Sequence, residues 1–398
     1  MRYFDHMATN PLRPEVLDAM MPYLKEEFGN PMSLYALGQK SKKALEEARG
    51  QVAALIGAKP QEIIFTASGA EANNMAVRGL AMASKAKGSH IIVSKMEHHS
   101  VLNPARMLEK EGFAVTFLPV DKYGMVDPGA LEKAITKETV LISVVHASPE
   151  VGTIEPVEEI GRIAKKHGVL FHTDAVASAG YLPVDVEALG VSALSLSAHE
   201  FYGPKGAGAL YLKGGTRIVP LIYGGIQESG RRAGTENIPA IVGMGKAAEL
   251  AKAGLAERAG KLARLRDRLV AGVLEGIGHV YYTGHPEHRL PGHASFCVEF
   301  IEGEAMLLML AAKGIYAASG SACSSKALKA SPVLLSMGIS SQLAQGSIVF
   351  SLGTDNAEDD IEYAIREFPA VVKRLREISP YAGGWGGVKE TGTCIPKN

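Results

Sequence analysis

From about residue 60 to about residue 215, short runs of aliphatic and β-branched residues alternate with helix-like stretches. The strand candidates are Glu62–Thr66, His90–Ser94, Ala114–Pro119, Val140–His146, Val169–Thr173, Ala193–Ser197 and Ala209–Leu212. Between them lie helix candidates at Glu71–Lys85, Val101–Glu111, Pro128–Ile135 and Pro156–Lys166. Such alternation predicts an α/β fold, a mostly parallel sheet covered by helices on both faces. In open sheets of this kind ligands bind beyond the carboxyl ends of the strands. The residues just after each strand are therefore the ones to inspect for chemistry.

A glycine-rich stretch, Tyr223–Thr235, follows the last of these strands. The amphipathic segment Ile238–Glu275 then predicts one or two helices leading into a second domain. That domain is expected to hold the strand Ala294–Phe300, the helix Glu304–Lys313, a Ser/Gly loop at Ser319–Ser325, the strand Ser347–Leu352 and a last helix Asp359–Ile378. The expected division is an N-terminal segment (1–14) packing on the small domain, a large domain (15–255), a small α+β domain (256–380) and an irregular tail (381–398). The tail is glycine-rich and lacks periodicity.

Composition excludes several classes. Of 398 residues 42 are basic and 42 acidic, which leaves no electrostatic footprint for nucleic acid or an anionic membrane. No apolar run approaches the ~18 residues of a spanning helix. The start, MRYFDHMATNP, has no apolar stretch of signal-peptide type, so the expected location is cytoplasmic. Cys297, Cys323 and Cys394 lie far apart with no CxxC pair, which speaks against a zinc site or a disulfide framework. The histidines at 285, 288 and 293 fit no regular metal-ligand spacing, and a surface loop is the expectation there.

Asp174 directly follows the strand VLFHT. A carboxylate there can hold a proton on a heterocyclic nitrogen, or it can cap a helix. Ser197 and His199 end the strand ALSLS, where a hydroxyl can meet a phosphate oxygen or simply open a turn. Ser68 and Gly69 lie between a strand and a helix and can offer backbone N–H groups to an anion, as any such turn can. His98 opens a helix, either as a ring that stacks on a flat ligand or as a satisfied structural histidine. Cys323 sits among small polar residues in SGSACSS, which favours an accessible, reactive thiol over a buried one.

Together these segments resemble the NifS/IscS-type cysteine desulfurases of the class V aminotransferase group. The markers run in order along the chain: FDHMATNP, FGNPMSLYALG, EIIFTASGAEANN, MEHHSVLNPA, HTDAVASAG, SAHEFYGPKGAGALYL, GGIQESGRRAGTEN, IEGEA and SGSACSS. The resemblance implies a fold-type I pyridoxal phosphate (PLP) architecture with a seven-stranded sheet, and a homodimer with its sites at the subunit interface. It implies that Asp174 pairs with the pyridinium nitrogen and that His98 stacks on the ring. It implies further that Gly69, Ala70, Ser197 and His199 flank the phosphate, that Thr235 reaches it from the other subunit, and that Cys323 takes sulfur as a persulfide.

The departures from the pattern bear on function. The residue after the histidine of the S-x-H motif is the family's Schiff-base lysine; here it is Glu200. Lys205 is no substitute, because the family carries that lysine as well. Ser148-Pro149 stands where the family has asparagines, Ala177 where it has glutamine and Ala70 where it has threonine. Val349 stands where an arginine would hold the substrate carboxylate, and Thr354 replaces a second arginine. A carboxylate can neither tether an aldehyde nor exchange an amine. The resulting expectation is a desulfurase-like dimer acting in sulfur transfer or iron–sulfur assembly through Cys323, with a scaffold or other sulfur acceptor as partner. Its site would hold no cofactor, or hold PLP or pyridoxamine phosphate noncovalently with His199 or Glu200 as base. A purely structural or regulatory dimer is the alternative from another class.

Overall fold

The computed structural model describes residues 1–320 and 330–379. Its centre is a seven-stranded sheet in the spatial order Ile63–Thr66, Gly208–Leu212, Ala193–Ser197, Leu170–Asp174, Thr139–Ser143, His90–Ser94, Ala114–Leu118. Gly208–Leu212 runs antiparallel to both neighbours, and every other pairing is parallel. The interior strands are buried on both faces and largely apolar, with His172, Thr173 and Ser195 among the buried polar exceptions. Ile91 and Val93 face one layer, with Met75, Leu80 and Val101 from the helices Gly69–Ser84 and His99–Lys110. Ile92, Ile142 and Phe171 face the other, with residues of the helices Ala36–Leu55, Val157–His167 and Ile238–Ala253.

A second apolar core lies around the three-stranded antiparallel sheet Ser347–Ser351, His293–Val298, Val280–Tyr282. Phe296, Phe350 and Phe368 form its centre, and the helices Leu255–Gly276 and Glu358–Ile378 cover it. The N-terminus belongs to this core in space. Arg2–Tyr3 pairs parallel with Ile315–Tyr316, and Phe4 meets Phe350 edge-on at 5.8 Å between ring centres.

Each expected strand of the large sheet is present, with ends shifted by a residue or a few; the stretch expected to run to His146 leaves the sheet at Ser143. The long segment after Thr235 is two helices, Ile238–Ala253 and Leu255–Gly276, with Gly254 between them. The helices Pro14–Lys25 and Ala36–Leu55 and the short strands Arg2–Tyr3 and Val280–Tyr282 have no counterpart among the sequence expectations. Among the described residues no helix is long and apolar enough to cross a membrane. Nor does any cluster of His, Cys, Asp or Glu among them have a metal-binding arrangement.

Candidate active site

The candidate residues gather at and just beyond the carboxyl ends of the central strands, the edge where an open sheet of this kind presents its crevice. Asp174 is the last residue of Leu170–Asp174 and is buried. No helix starts after it, so it is not an N-cap. Instead its Oδ1 accepts the Val176 N–H at 2.9 Å, closing a tight turn. Its Oδ2 accepts from Asn73 Nδ2 at 2.6 Å. Burial holds this carboxyl above the usual range, with the Val176 and Asn73 donors and His98 acting the other way.

Asn73 links Asp174 to His98. Its Nδ2 also donates to Ser100 Oγ at 2.8 Å, and Ser100 Oγ lies 2.7 Å from His98 Nδ1. His98 is the N-cap of His99–Lys110, and its Nδ1 accepts the Ser100 N–H at 3.1 Å. In the neutral ring Nδ1 is therefore the acceptor and Nε2 carries the proton.

Ser197 ends the strand Ala193–Ser197; it is buried and its Oγ has no partner. Next to it lies Gly69, the first residue of Gly69–Ser84. A side chain on Gly69 would meet Ser197 Cβ at 3.2 Å and Val176 Cγ2 at 2.7 Å, so only glycine lets helix and strand approach this closely. Ala70 is the exposed second residue of that helix. Ser68 caps it by accepting the Glu71 N–H at 3.1 Å, and Arg232 Nε pairs with Glu71 Oε1 at 2.9 Å.

His199 and Glu200 sit on a 3-10 turn, Ala198–Phe201. Glu200 is buried; its Oε1 lies 3.5 Å from His199 Nδ1, and its Oε2 has no hydrogen-bond partner. Burial, then the charges of Asp174 and Asp5, push this carboxyl well above the ordinary glutamate range. His199 is held below the usual value by burial and by Lys205, and Lys205 itself is exposed. The turn is clamped from the N-terminus. Asn10 Nδ2 donates to the Glu200 carbonyl at 2.8 Å and to the His199 carbonyl at 3.2 Å, and the Asn10 N–H donates to His199 O at 3.1 Å. The following Tyr202 takes a left-handed φ of 67°, uncommon for a bulky residue. Its hydroxyl accepts the Thr354 N–H at 2.7 Å.

The structure thus gathers Gly69, His98, Asp174, Ser197, His199 and Glu200, with Ala70 at the rim. Thr235 is exposed in the irregular stretch before Ile238–Ala253. Cys323 and the tail with Trp385 and Cys394 lie outside the described residues. Sequence reasoning missed Asn10, Asp5, Asn73 and Ser100. All four lie within the motifs FDHMATNP, EIIFTASGAEANN and MEHHSVLNPA, but nothing local shows that Asn73 and Ser100 relay Asp174 to His98.

Ser148 and Val349 both have defined places in the structure. Ser148 is fully buried and its Oγ caps a local turn through the Glu150 and Val151 N–H groups, both at 3.4 Å. Val349 is a buried strand residue paired with Ser295 and bonded through its backbone to Ala318.

A family profile for class V aminotransferases matches residues 2–364, and the chain belongs to that family. It is 50% identical over 383 residues to the cysteine desulfurase IscS of Dictyoglomus turgidum, covering 96% of this chain and 97% of that one. It is also 50% identical to the IscS of Methanosarcina thermophila, over 95% of this chain and 93% of the other. The solved structure of a NifS-like protein superposes with a TM-score of 0.89 at 36% identity, covering 94% of this chain and 100% of that one. The apo cysteine desulfurase of Thermococcus onnurineus gives 0.84 at 30% identity, covering 94% and 95%.

Proposed function

We propose that this chain is a divergent cysteine desulfurase-like protein that acts in sulfur transfer or iron–sulfur cluster assembly through Cys323, without covalently attached PLP. The observation that carries the reading is Glu200. The family resemblance sets it at the Schiff-base position, its carboxyl is buried, and one of its oxygens lacks a partner. In sulfur transfer the Cys323 thiolate attacks the outer sulfur of a donor persulfide. The donor leaves as a thiolate, and the sulfur stays on Cys323 until an acceptor thiolate takes it by the same exchange. No net oxidant is needed.

The crevice fits the ring and phosphate of a vitamin B6 cofactor better than it fits a covalent tether. Ser197 Oγ is buried without a partner beside a helix N-terminus that only a glycine lets so close. Asp174, buried and oriented by two donors, suits a protonated ring nitrogen. When bound, such a cofactor supplies an electron sink for chemistry at an amino-acid α carbon. The chain's own residues would then hold the ring proton at Asp174, position the ring against His98 through the Asn73–Ser100 relay, and keep protons at Glu200 and His199. That retained relay favours noncovalent cofactor use as the second reading.

Freshly purified protein, with or without added PLP, should lack the visible band of a lysine-linked cofactor. A borohydride-trapped adduct mapped to a crevice lysine would overturn this.

Cys323 should be the thiol most readily alkylated and the one that holds persulfide. Cys297 is fully buried on the strand His293–Val298, and burial, then Glu150, pushes its thiol up. Thiolate is the reactive form, so Cys297 should stay inert in the native protein. Peptide mapping that found Cys323 unreactive and free of persulfide would remove the carrier role.

The protein should be a homodimer. The Tyr223–Thr235 segment exposes Tyr223 and Ile226 at 76% and 73%, apolar area that a partner copy would cover. A monomer by light scattering at micromolar concentration would contradict it.

A further inference from the structure

The crevice is electrostatically two-ended. At one end the N-terminus of Gly69–Ser84, whose sixteen residues align their peptide dipoles, meets the unpartnered and fully buried Ser197 hydroxyl. That end suits an anion, and the one carboxylate in the helix's first turn, Glu71, is already paired with Arg232. At the other end lie Glu200, Asp174 and Asp5. Glu200 Oε2 and Asp5 Oδ1 are buried without hydrogen-bond partners. Among the described residues neither Glu200 nor Asp174 forms an ion pair with a lysine or arginine. The site therefore offers donors for a phosphate and, separately, acceptors for a cation.

We propose that the crevice takes a phosphorylated pyridine ring carrying a protonated aminomethyl arm, the pyridoxamine phosphate form, and that Glu200 selects this form over the aldehyde. The proposal rests on the reading that the crevice holds a B6 phosphate noncovalently, and it assigns which form. An aldehyde facing Glu200 meets either a carboxylate that repels its oxygen or a neutral carboxyl that gives one ordinary hydrogen bond. An ammonium forms a charge-assisted pair, roughly twice as strong.

The exchange is proton-balanced. The groups facing Glu200 are Asp174 at the strand end, Asp5 and Tyr3 on the N-terminal segment, Tyr181, and His199 on its own turn. Before binding, the acidic neighbours and burial keep the Glu200 proton in place. On binding, the carboxyl gives that proton to solvent and the resulting carboxylate pairs with the incoming R–CH2–NH3+. No electrons move and no bond to carbon forms or breaks.

The test is calorimetric titration of the full chain with pyridoxamine phosphate and with 4-deoxypyridoxine phosphate, which has a methyl group in place of the aminomethyl arm. Two buffers of different ionisation enthalpy report proton release. Pyridoxamine phosphate should bind at least about tenfold more tightly, the worth of a charge-assisted hydrogen bond that the methyl group cannot make, and should release about one more proton per site. With a preference of that size, an equimolar amount of PLP should displace no more than about a tenth of it. Glu200→Gln, which keeps the shape of the carboxyl, should lose both the preference and the extra proton while binding the deoxy analogue as before. Equal affinity for the two ligands, or a preference that survives in Glu200→Gln, would overturn selection by Glu200 and leave the ring and phosphate site standing. If neither ligand binds, the noncovalent-cofactor reading falls with it, whereas sulfur transfer at Cys323 is judged separately by thiol mapping.

Discussion

Glu200→Lys should gain a borohydride-trappable PLP adduct at residue 200 yet release sulfide from cysteine about 10- to 100-fold more slowly than an intact desulfurase site. Two jobs separate here. The turn that carries residue 200 is set by backbone bonds from Asn10 and by the left-handed Tyr202, not by the glutamate side chain. A lysine placed there inherits the same aim into the crevice. It also replaces a carboxyl crowded by Asp174 and Asp5 with an amine that those groups attract. Substrate handling is not repaired. Val349 offers no guanidinium where the resemblance places one, and the Ser148 hydroxyl and the Pro149 carbonyl are engaged elsewhere, the latter as acceptor from His293 Nε2 at 2.8 Å. A charge-assisted bond to a carboxylate contributes roughly 1.5–3 kcal/mol, which sets the expected shortfall. PLP titration followed by a sulfide-release assay reads both halves. Turnover equal to that of an intact desulfurase site would show that Val349 and Pro149 are not defects.

Glu228→Ala should cost about 3–5 kcal/mol of folding stability, measured by chemical denaturation. Glu228 Oε1 and Oε2 accept from Arg49 Nη2 and Nη1, both at 2.8 Å, and Oε2 also accepts the Phe65 N–H at 2.9 Å. The pair is buried, and Arg49 Nη1 also donates to the Ile63 carbonyl while the guanidinium lies 4.9 Å from the Phe65 ring centre. Deleting the carboxylate leaves the buried guanidinium with only Glu46, more exposed and 3.3 Å from its Nε, as counter-charge. Glu228 itself has a left-handed φ of 48°, a strained conformation that the surrounding contacts hold in place. Since it ties the Tyr223–Thr235 segment to the sheet's edge strand, the variant should also weaken the dimer. Replacing both partners, Arg49→Met with Glu228→Leu, should cost less than Glu228→Ala alone. A single-variant loss below about 1 kcal/mol would mean that the pair adds little.

The large sheet was legible in the sequence because its strands are buried on both faces and read as apolar blocks between helical stretches. The rule about strand ends then pointed to Asp174, Ser197 and His199, which the structure places at or just past those ends. The helices Pro14–Lys25 and Ala36–Leu55 were not legible. The first has Pro22 inside it, and the second mixes small residues with charges over twenty positions and gives no clean apolar stripe. Arg2–Tyr3 and Val280–Tyr282 are too short for any period to show. Asn10 was invisible for a different reason. Its partners are 189 and 190 residues away, and only the packing of the N-terminal segment between the two cores brings them together. The end of the strand expected to reach His146 was misplaced because Val144 and Val145 remain apolar and buried after the ladder stops.

The path of the N-terminal segment dictates the order in which the crevice can be assembled. Residues 2–10 leave the ribosome ahead of their partners: Arg2–Tyr3 waits for Ile315–Tyr316, and the Met7 N–H waits for the Ser351 hydroxyl 344 positions later. At roughly 5–20 residues per second that wait lasts on the order of tens of seconds. The sheet and its helices can condense meanwhile, since their contacts lie within the stretch already made. Asn10 can grip the Glu200 turn firmly only after the second core has formed and drawn the segment into place. During synthesis the crevice is thus the last part to mature, and the nascent chain carries the sheet well before it carries a finished ligand site.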